Sequence, residues 1–137
     1  AIRVEQKIQE NISLVNANMI GLEEVVVNVL VNAIQALDTV DKAEKVICIE
    51  TFHRDANVVL KISDNGPGID ASIKETLFDS FTSTKQGDDN LGLGLAIVNN
   101  IIAAYLGTIE VASSTEAGTT IIIALPAVEM EKLEEKQ

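Results

Sequence analysis

The chain has 137 residues, 47% apolar and 23% charged, which is ordinary globular usage and argues against disordered, collagen-like and mucin-like classes. Its 21 acidic residues against 10 basic ones give a formal charge of −11, a balance that repels phosphate backbones and anionic lipid and argues against a nucleic-acid module. The length suits a single domain, 1–137, and the one cysteine, Cys48, leaves no internal disulfide or thiolate cluster and fits a reducing compartment.

No uninterrupted apolar stretch reaches the roughly 18 to 20 residues of a membrane span, and the opening residues lack a signal peptide's pattern, so the chain reads as soluble. It opens on a strand-like segment without an initiator methionine, so it is expected to be an excised piece of a longer protein.

Ile2, Val4 and Ile8 alternate with polar residues, and Leu14 and Val15 follow a polar step, which predicts two short strands. Residues 19–38 are apolar nearly all round, too long for an ordinary strand. Glu24, Asn28, Asn32 and Gln35 are spaced by four, four and three, so on a helix they fall within an arc of about 80°. The prediction is a core helix with one narrow polar stripe.

Residues 46–52 and 57–64 are rich in β-formers and separated by His53-Arg54-Asp55-Ala56, which predicts an antiparallel hairpin. Asp64-Asn65-Gly66-Pro67-Gly68 is a dense turn cluster, and Asp70 is placed to cap a short helix through Leu77. Residues 82–90 contain no apolar side chain, the mark of a functional loop. Helical periodicity returns over residues 92–106, with Gly107 as the C′ stop. Strands over 108–113 and 119–125 and a charged tail complete the chain. Helices interspersed with clustered strands predict a mixed sheet with its helices on one face.

In the strand before the glycine turn, Val58, Leu60, Ile62 and Asp64 share one face, so an aspartate ends an apolar row. A buried carboxylate needs a donor, either from the protein, as in a turn-capping Asp-Asn-Gly, or from a ligand. Gly92-Leu93-Gly94-Leu95 opens a helix whose free N–H groups suit an anion, or else merely lets that helix pack closely. The dinucleotide fingerprint fails because its third glycine position is Ile97, and the P-loop pattern is absent. His53-Arg54-Asp55 with Asp64-Asn65-Gly66 is no protein-kinase pair, because Asn57 stands at the wrong spacing and a second lobe is missing. His53 is the only histidine, so no His-based metal site exists, and it reads as a solvated turn residue.

Four features stand in order: a buried helix with an asparagine stripe, a strand ending in D-x-G-x-G, an all-polar loop and a glycine-opened helix. In that order the chain resembles the catalytic ATP-binding domain of sensor histidine kinases, within the wider group of gyrase, the Hsp90 chaperones and mismatch-repair ATPases. Glu24 to Ala33 resembles the N box, Asp64 to Ile69 the first glycine box, and Leu77-Phe78-Asp79-Ser80-Phe81 the F box. Asn90 to Leu95 resembles the second glycine box and Gly118-Thr119-Thr120 the terminal G-T element. The 81–85 stretch looks most like the nitrogen-regulator and C4-dicarboxylate sensor branch.

The resemblance implies an α/β two-layer sandwich with a mixed, mostly antiparallel sheet and about three helices on one face, the Bergerat ATP-binding fold. It implies that Asp64 accepts the adenine amino group, that Gly66 and Gly68 admit the base, and that Ile69 and Thr119 complete the pocket. It further implies that Asn32 holds Mg²⁺ while Asn28 lies towards the phosphates, with Gln35 where relatives often carry a base. Thr84 and Lys85 match the ATP lid, Phe78 and Phe81 its entrance, and Gly92, Leu93, Gly94 and Leu95 the phosphate-side turn. Asn28, Asn32 and Lys85 are then the groups at the reacting phosphates. Asn28 stands where related ATPases place a water-activating glutamate, and an amide cannot act as a general base, so hydrolysis is expected to be slow.

The implied partners are ATP and ADP, a histidine-bearing dimerisation domain of the same kinase and a response-regulator receiver domain. The implied location is cytoplasmic, within a longer protein anchored in the inner membrane. An anti-sigma-factor-type serine kinase of the same superfamily and a non-catalytic interaction module are the alternatives.

Overall fold

A computed structural model describes residues 2–9, 15, 17–68, 90–114 and 118–128. The predicted short helix over 70–77, the polar loop and the charged tail lie outside the described residues. Among the described residues five strands form one sheet: β1 (Ile2–Ile8), β2 (Lys45–Arg54), β3 (Asn57–Asp64), β4 (Thr108–Ser114) and β5 (Gly118–Pro126), in the order β1-β2-β3-β5-β4. Only the β1–β2 pair is parallel, because the helix α1 (Met19–Asp38) carries the chain back between them; the other three pairs are antiparallel. A second helix, α2 (Asn90–Ala104), precedes β4.

The run of valines in α1 favours strands locally, and tertiary packing overrides that preference. Asn18 caps the helix by accepting the Ile20 N–H at 2.8 Å, and at the far end the Thr39 hydroxyl donates to the Ala36 carbonyl at 2.7 Å. Val25, Val29, Ala33 and Leu37 form the buried ridge at spacings of four, and they meet Val98 and Ile102 of α2 and Ile47, Ile62, Ile121, Ile123 and Leu125 of the sheet. Both helices therefore share one sheet face and one core. By length and a mean hydropathy of 1.5, residues 20–38 pass a membrane-span test. Their buried ridge and polar stripe mark instead a core helix.

The hairpin differs from expectation. His53 pairs with Val58 and Arg54 with Asn57, so the turn contracts to Asp55-Ala56, with Asp55 at φ 56°. A two-residue turn needs a residue at positive φ, which Asp tolerates better than most, and it lets two more residues join the ladder. His53 is thus a half-buried strand residue whose backbone N–H donates to Gln9 Oε1 at 2.8 Å, not a solvated turn residue. The strand expected at Leu14-Val15 reduces, among the described residues, to a single bridge between Val15 and Ala127.

The end of α2 also departs from the sequence reading. The left-handed residue is Leu106, at φ 62°, and not Gly107. The Leu106 N–H bonds the Ala103 carbonyl at 3.0 Å and the Gly107 N–H bonds the Ile102 carbonyl at 2.9 Å, the paired closure of a Schellman motif. Gly107 is needed for space instead: a Cβ there would stand 2.6 Å from the Ala124 carbonyl oxygen and 2.9 Å from Ile102 Cγ2. The two positions should respond oppositely. Leu106 is 82% exposed, so Leu106→Gly gives up little burial and relieves about 1 kcal/mol of left-handed strain, raising the urea midpoint. Gly107→Ala should lower that midpoint.

Candidate functional site

Asp64 ends β3 on the helix-facing side, opposite Thr119 of β5 and Ile47 of β2, and only 8% of it is exposed. Its Oδ1 accepts the Gly66 N–H at 2.8 Å, closing a two-residue turn onto its own side chain. A backbone hydrogen bond from Thr119 gives further support, and Lys42 adds attraction at longer range. Burial outweighs these and pushes the carboxyl above its ordinary range. The turn-capping and ligand-binding readings of Asp64 are therefore compatible: the turn uses part of its acceptor capacity, and a carboxylate has about four lone-pair sites.

Two glycines make this geometry achievable. A Cβ on Gly66 would come 2.8 Å from Asp64 Oδ1 and 3.5 Å from the Cβ of Ala36, so the turn abuts α1 one helical turn beyond Asn32. Gly118, at φ 95°, lies so close to β3 that a Cβ would stand 2.0 Å from the Asp64 carbonyl oxygen. The G-T element thus earns its glycine through contact with the aspartate's own backbone. Gly68 is likewise left-handed, at φ 78°.

The polar stripe of α1 runs alongside. Asn28 donates its amide N–H to the Glu24 backbone carbonyl at 2.8 Å, which leaves the amide oxygen as the outward group. Asn32 is the sharper signal, because its Nδ2 is buried and has no hydrogen-bond partner. An unpaired buried amide is costly, and a bound polar ligand relieves the cost. Gln35 is exposed. Among the described residues no three His, Cys, Asp or Glu side chains stand together, so a divalent cation here would rely on asparagine oxygen and on ligand phosphates. An unpaired amide on α1 and a buried acid with spare acceptor capacity are groups that a magnesium nucleotide would suit.

Gly92, Leu93, Gly94 and Leu95 lie within the first turns of α2, which begins at Asn90, two residues earlier than predicted, and ends at Ala104 instead of 106. Ile69, Phe78, Phe81, Thr84 and Lys85 lie outside the described residues. The sequence reading missed Asn65, Lys42 and the steric role of Gly118. Asn65 was legible only as a turn former, since its partners lie about 20 residues upstream.

Known proteins resemble this chain in sequence and in fold. Residues 17–129 match the family model described as histidine kinase-, DNA gyrase B- and HSP90-like ATPase. The C4-dicarboxylate transport sensor protein DctB of Rhizobium meliloti is 45% identical over 109 residues, 79% of this chain and 17% of that protein. The signal transduction histidine-protein kinase AtoS of Escherichia coli K12 is 38% identical over 121 residues, 88% of this chain and 19% of that one. The chain therefore spans about a fifth of the length of these relatives. The catalytic domain of histidine kinase ThkA superposes with a TM-score of 0.77 at 26% identity, covering 93% of this chain and 82% of the other. The mycobacterial sensor histidine kinase MprB gives 0.75 at 28%, with 92% and 82% covered. Both the fold and the C4-dicarboxylate-sensor likeness agree with the sequence reading, and the chain belongs to the histidine kinase-, gyrase B- and HSP90-like ATPase family.

Proposed function

We propose that this chain is the ATP-binding catalytic domain, 1–137, of a two-component sensor histidine kinase. It would present the γ-phosphoryl of Mg²⁺-ATP to a histidine on a separate dimerisation domain, for relay to a response-regulator aspartate. The observation that carries this is the pairing of a buried acid, Asp64, with an unpartnered buried amide, Asn32, across one turn of packing at Ala36. The relatives' printed roles as sensor kinases support the reading.

In this mechanism the ionised Asp64 accepts a hydrogen bond from the adenine 6-amino group, where guanine carries a carbonyl oxygen, so ATP is chosen over GTP. Asn32 would supply an oxygen ligand to Mg²⁺, which would offset phosphate charge, and Asn28 would orient the phosphate chain. Lys85 and Thr84 would close over the phosphates from the lid, with Ile69, Phe78 and Phe81 bounding the base and Gly92 to Leu95 offering backbone donors. The Asn28 amide is too weakly basic to take a proton from water at neutral pH, so bound ATP would be protected from hydrolysis until the histidine arrives. The location would be cytoplasmic, within a longer membrane-anchored protein.

Calorimetric titration of ATP with and without Mg²⁺ is the first check. Asp64→Asn should weaken ATP binding about ten- to a hundredfold, the worth of a charge-assisted hydrogen bond of about 1.5–3 kcal/mol. Wild-type chain incubated with a histidine-domain protein and radiolabelled ATP should label that partner, while the chain alone hydrolyses ATP slowly. Transfer to a serine in place of a histidine would favour the anti-sigma-factor-type kinase, and absence of nucleotide binding would sink both kinase readings.

The raised carboxyl makes a separate prediction. Its folded-state value lies above its unfolded one. Below the unfolded value both states hold the proton; between the two values only the unfolded chain releases it, so unfolding gains ground as pH rises. The apo protein should thus lose stability relative to Asp64→Asn as pH climbs through the folded value, and the difference should then level off. Urea denaturation of both proteins at a series of pH values measures it.

A further inference from the structure

The turn that carries Asp64 is fastened to the start of β2 by its neighbour. Asn65 forms a closed clasp: its own N–H donates to the Val46 carbonyl at 3.2 Å, its Oδ1 accepts the Val46 N–H at 2.8 Å, and its Nδ2 donates to the Glu44 carbonyl at 2.9 Å. Its backbone carbonyl in turn accepts the Lys42 ammonium. One residue therefore ties the turn to segment 42–46, which leads from the end of α1 into β2. That segment belongs to the connection from the helix that bears Asn28 and Asn32.

We infer that Asn65 is a positioning residue, whose side-chain clasp on Val46 and Glu44 sets the Asp64–Gly66 turn at a fixed height against α1 and so determines how well the site selects adenine. The inference rests on the nucleotide reading above. Three observations support it beyond fold maintenance. The ladder between β2 and β3 ends at the Ile47–Asp64 pair, so register alone does not hold residues 65 and 66. A Cβ on Gly66 would stand 2.8 Å from Asp64 Oδ1 and 3.5 Å from the Ala36 Cβ, so the turn lies close to both the acid and α1. Asp64 is fixed from one side by Gly118 against its carbonyl, leaving the turn beyond it to be set from the other side by Asn65. A side chain that only initiated a turn would bond within the turn; this one reaches across about 20 residues of sequence. Lys42 reinforces the clasp from the solvent side.

Binding of ATP and of GTP to wild type, Asn65→Ala, Asn65→Asp and Lys42→Ala, measured calorimetrically on protein shown to be folded by circular dichroism, tests this. Asn65→Ala should raise the ATP Kd at least about tenfold, the scale of effect expected when a binding group is slightly misplaced, and should narrow the preference for ATP over GTP. Asn65→Asp keeps the acceptor for the Val46 N–H and should recover part of the loss, and Lys42→Ala should show a smaller loss. If Asn65→Ala does not fold, the ordering of the other two variants between wild type and Asp64→Asn carries the result. Variants that lose stability yet bind ATP with wild-type Kd and wild-type preference would overturn the inference while leaving the nucleotide reading intact. Wild type that binds neither nucleotide would overturn both.

Discussion

A carboxylate at the end of an apolar strand, nearly closed off from water, is an arrangement that opposes folding unless its surroundings are built for it. The region around Asp64 is built in that way. The Gly66 amide and a Thr119 backbone bond support the charge, Gly118 has no side chain to force β5 away, and Lys42 offers distant attraction. None of these removes the burial cost entirely, so the group stays harder to ionise than a surface aspartate. What remains is a buried acid whose acceptor capacity is only partly used. The strained or crowded positions around it follow from that single requirement.

Helix α1 meets the same requirement from the opposite wall. Its ridge of Val25, Val29, Ala33 and Leu37 fills the core against the sheet and α2, and its Ala36, one turn beyond Asn32, lies against the turn after Asp64. A third strip, Ile20, Val27, Val31 and Ile34, remains exposed. Core packing supplies the rigidity that the proposed binding role of the two asparagines would need, because an amide on a mobile element would lose affinity to ordering. The buried, unpaired Asn32 nitrogen shows the cost of holding such a group ready.

Sequence reasoning reached the features that depend on local chemistry. The bounds of α1 were legible because the apolar run over 19–38 is too long for a strand and carries one narrow polar stripe, and β3 was legible because Asp-Asn-Gly-Pro-Gly must end a strand. Asp64 was visible through the alternation of its own strand. Features settled by distant partners were not visible. His53 joins the ladder because Val58 stands opposite it, Leu106 takes the left-handed position because Gly107 is needed under Ala124, and the clasp of Asn65 depends on Val46 and Glu44. A turn residue and a long-range staple have the same spelling. The strand order, with β5 inserted between β3 and β4, is likewise a consequence of tertiary pairing.

The three strips of α1 have an evolutionary consequence. Each residue along a helix turns the direction of its side chain by about 100°. Losing or gaining a single residue between Glu24 and Asn28 would therefore swing the two halves of the helix out of phase. Asn28 and Asn32 would rotate away from the turn after Asp64, or Val29 and Ala33 would leave the core. Substitutions can be absorbed one strip at a time, whereas a change in length disturbs core, site and exposed strip together. The helix should accordingly diverge by exchange of side chains while its residue count stays constant, with insertions and deletions confined to the connections on either side.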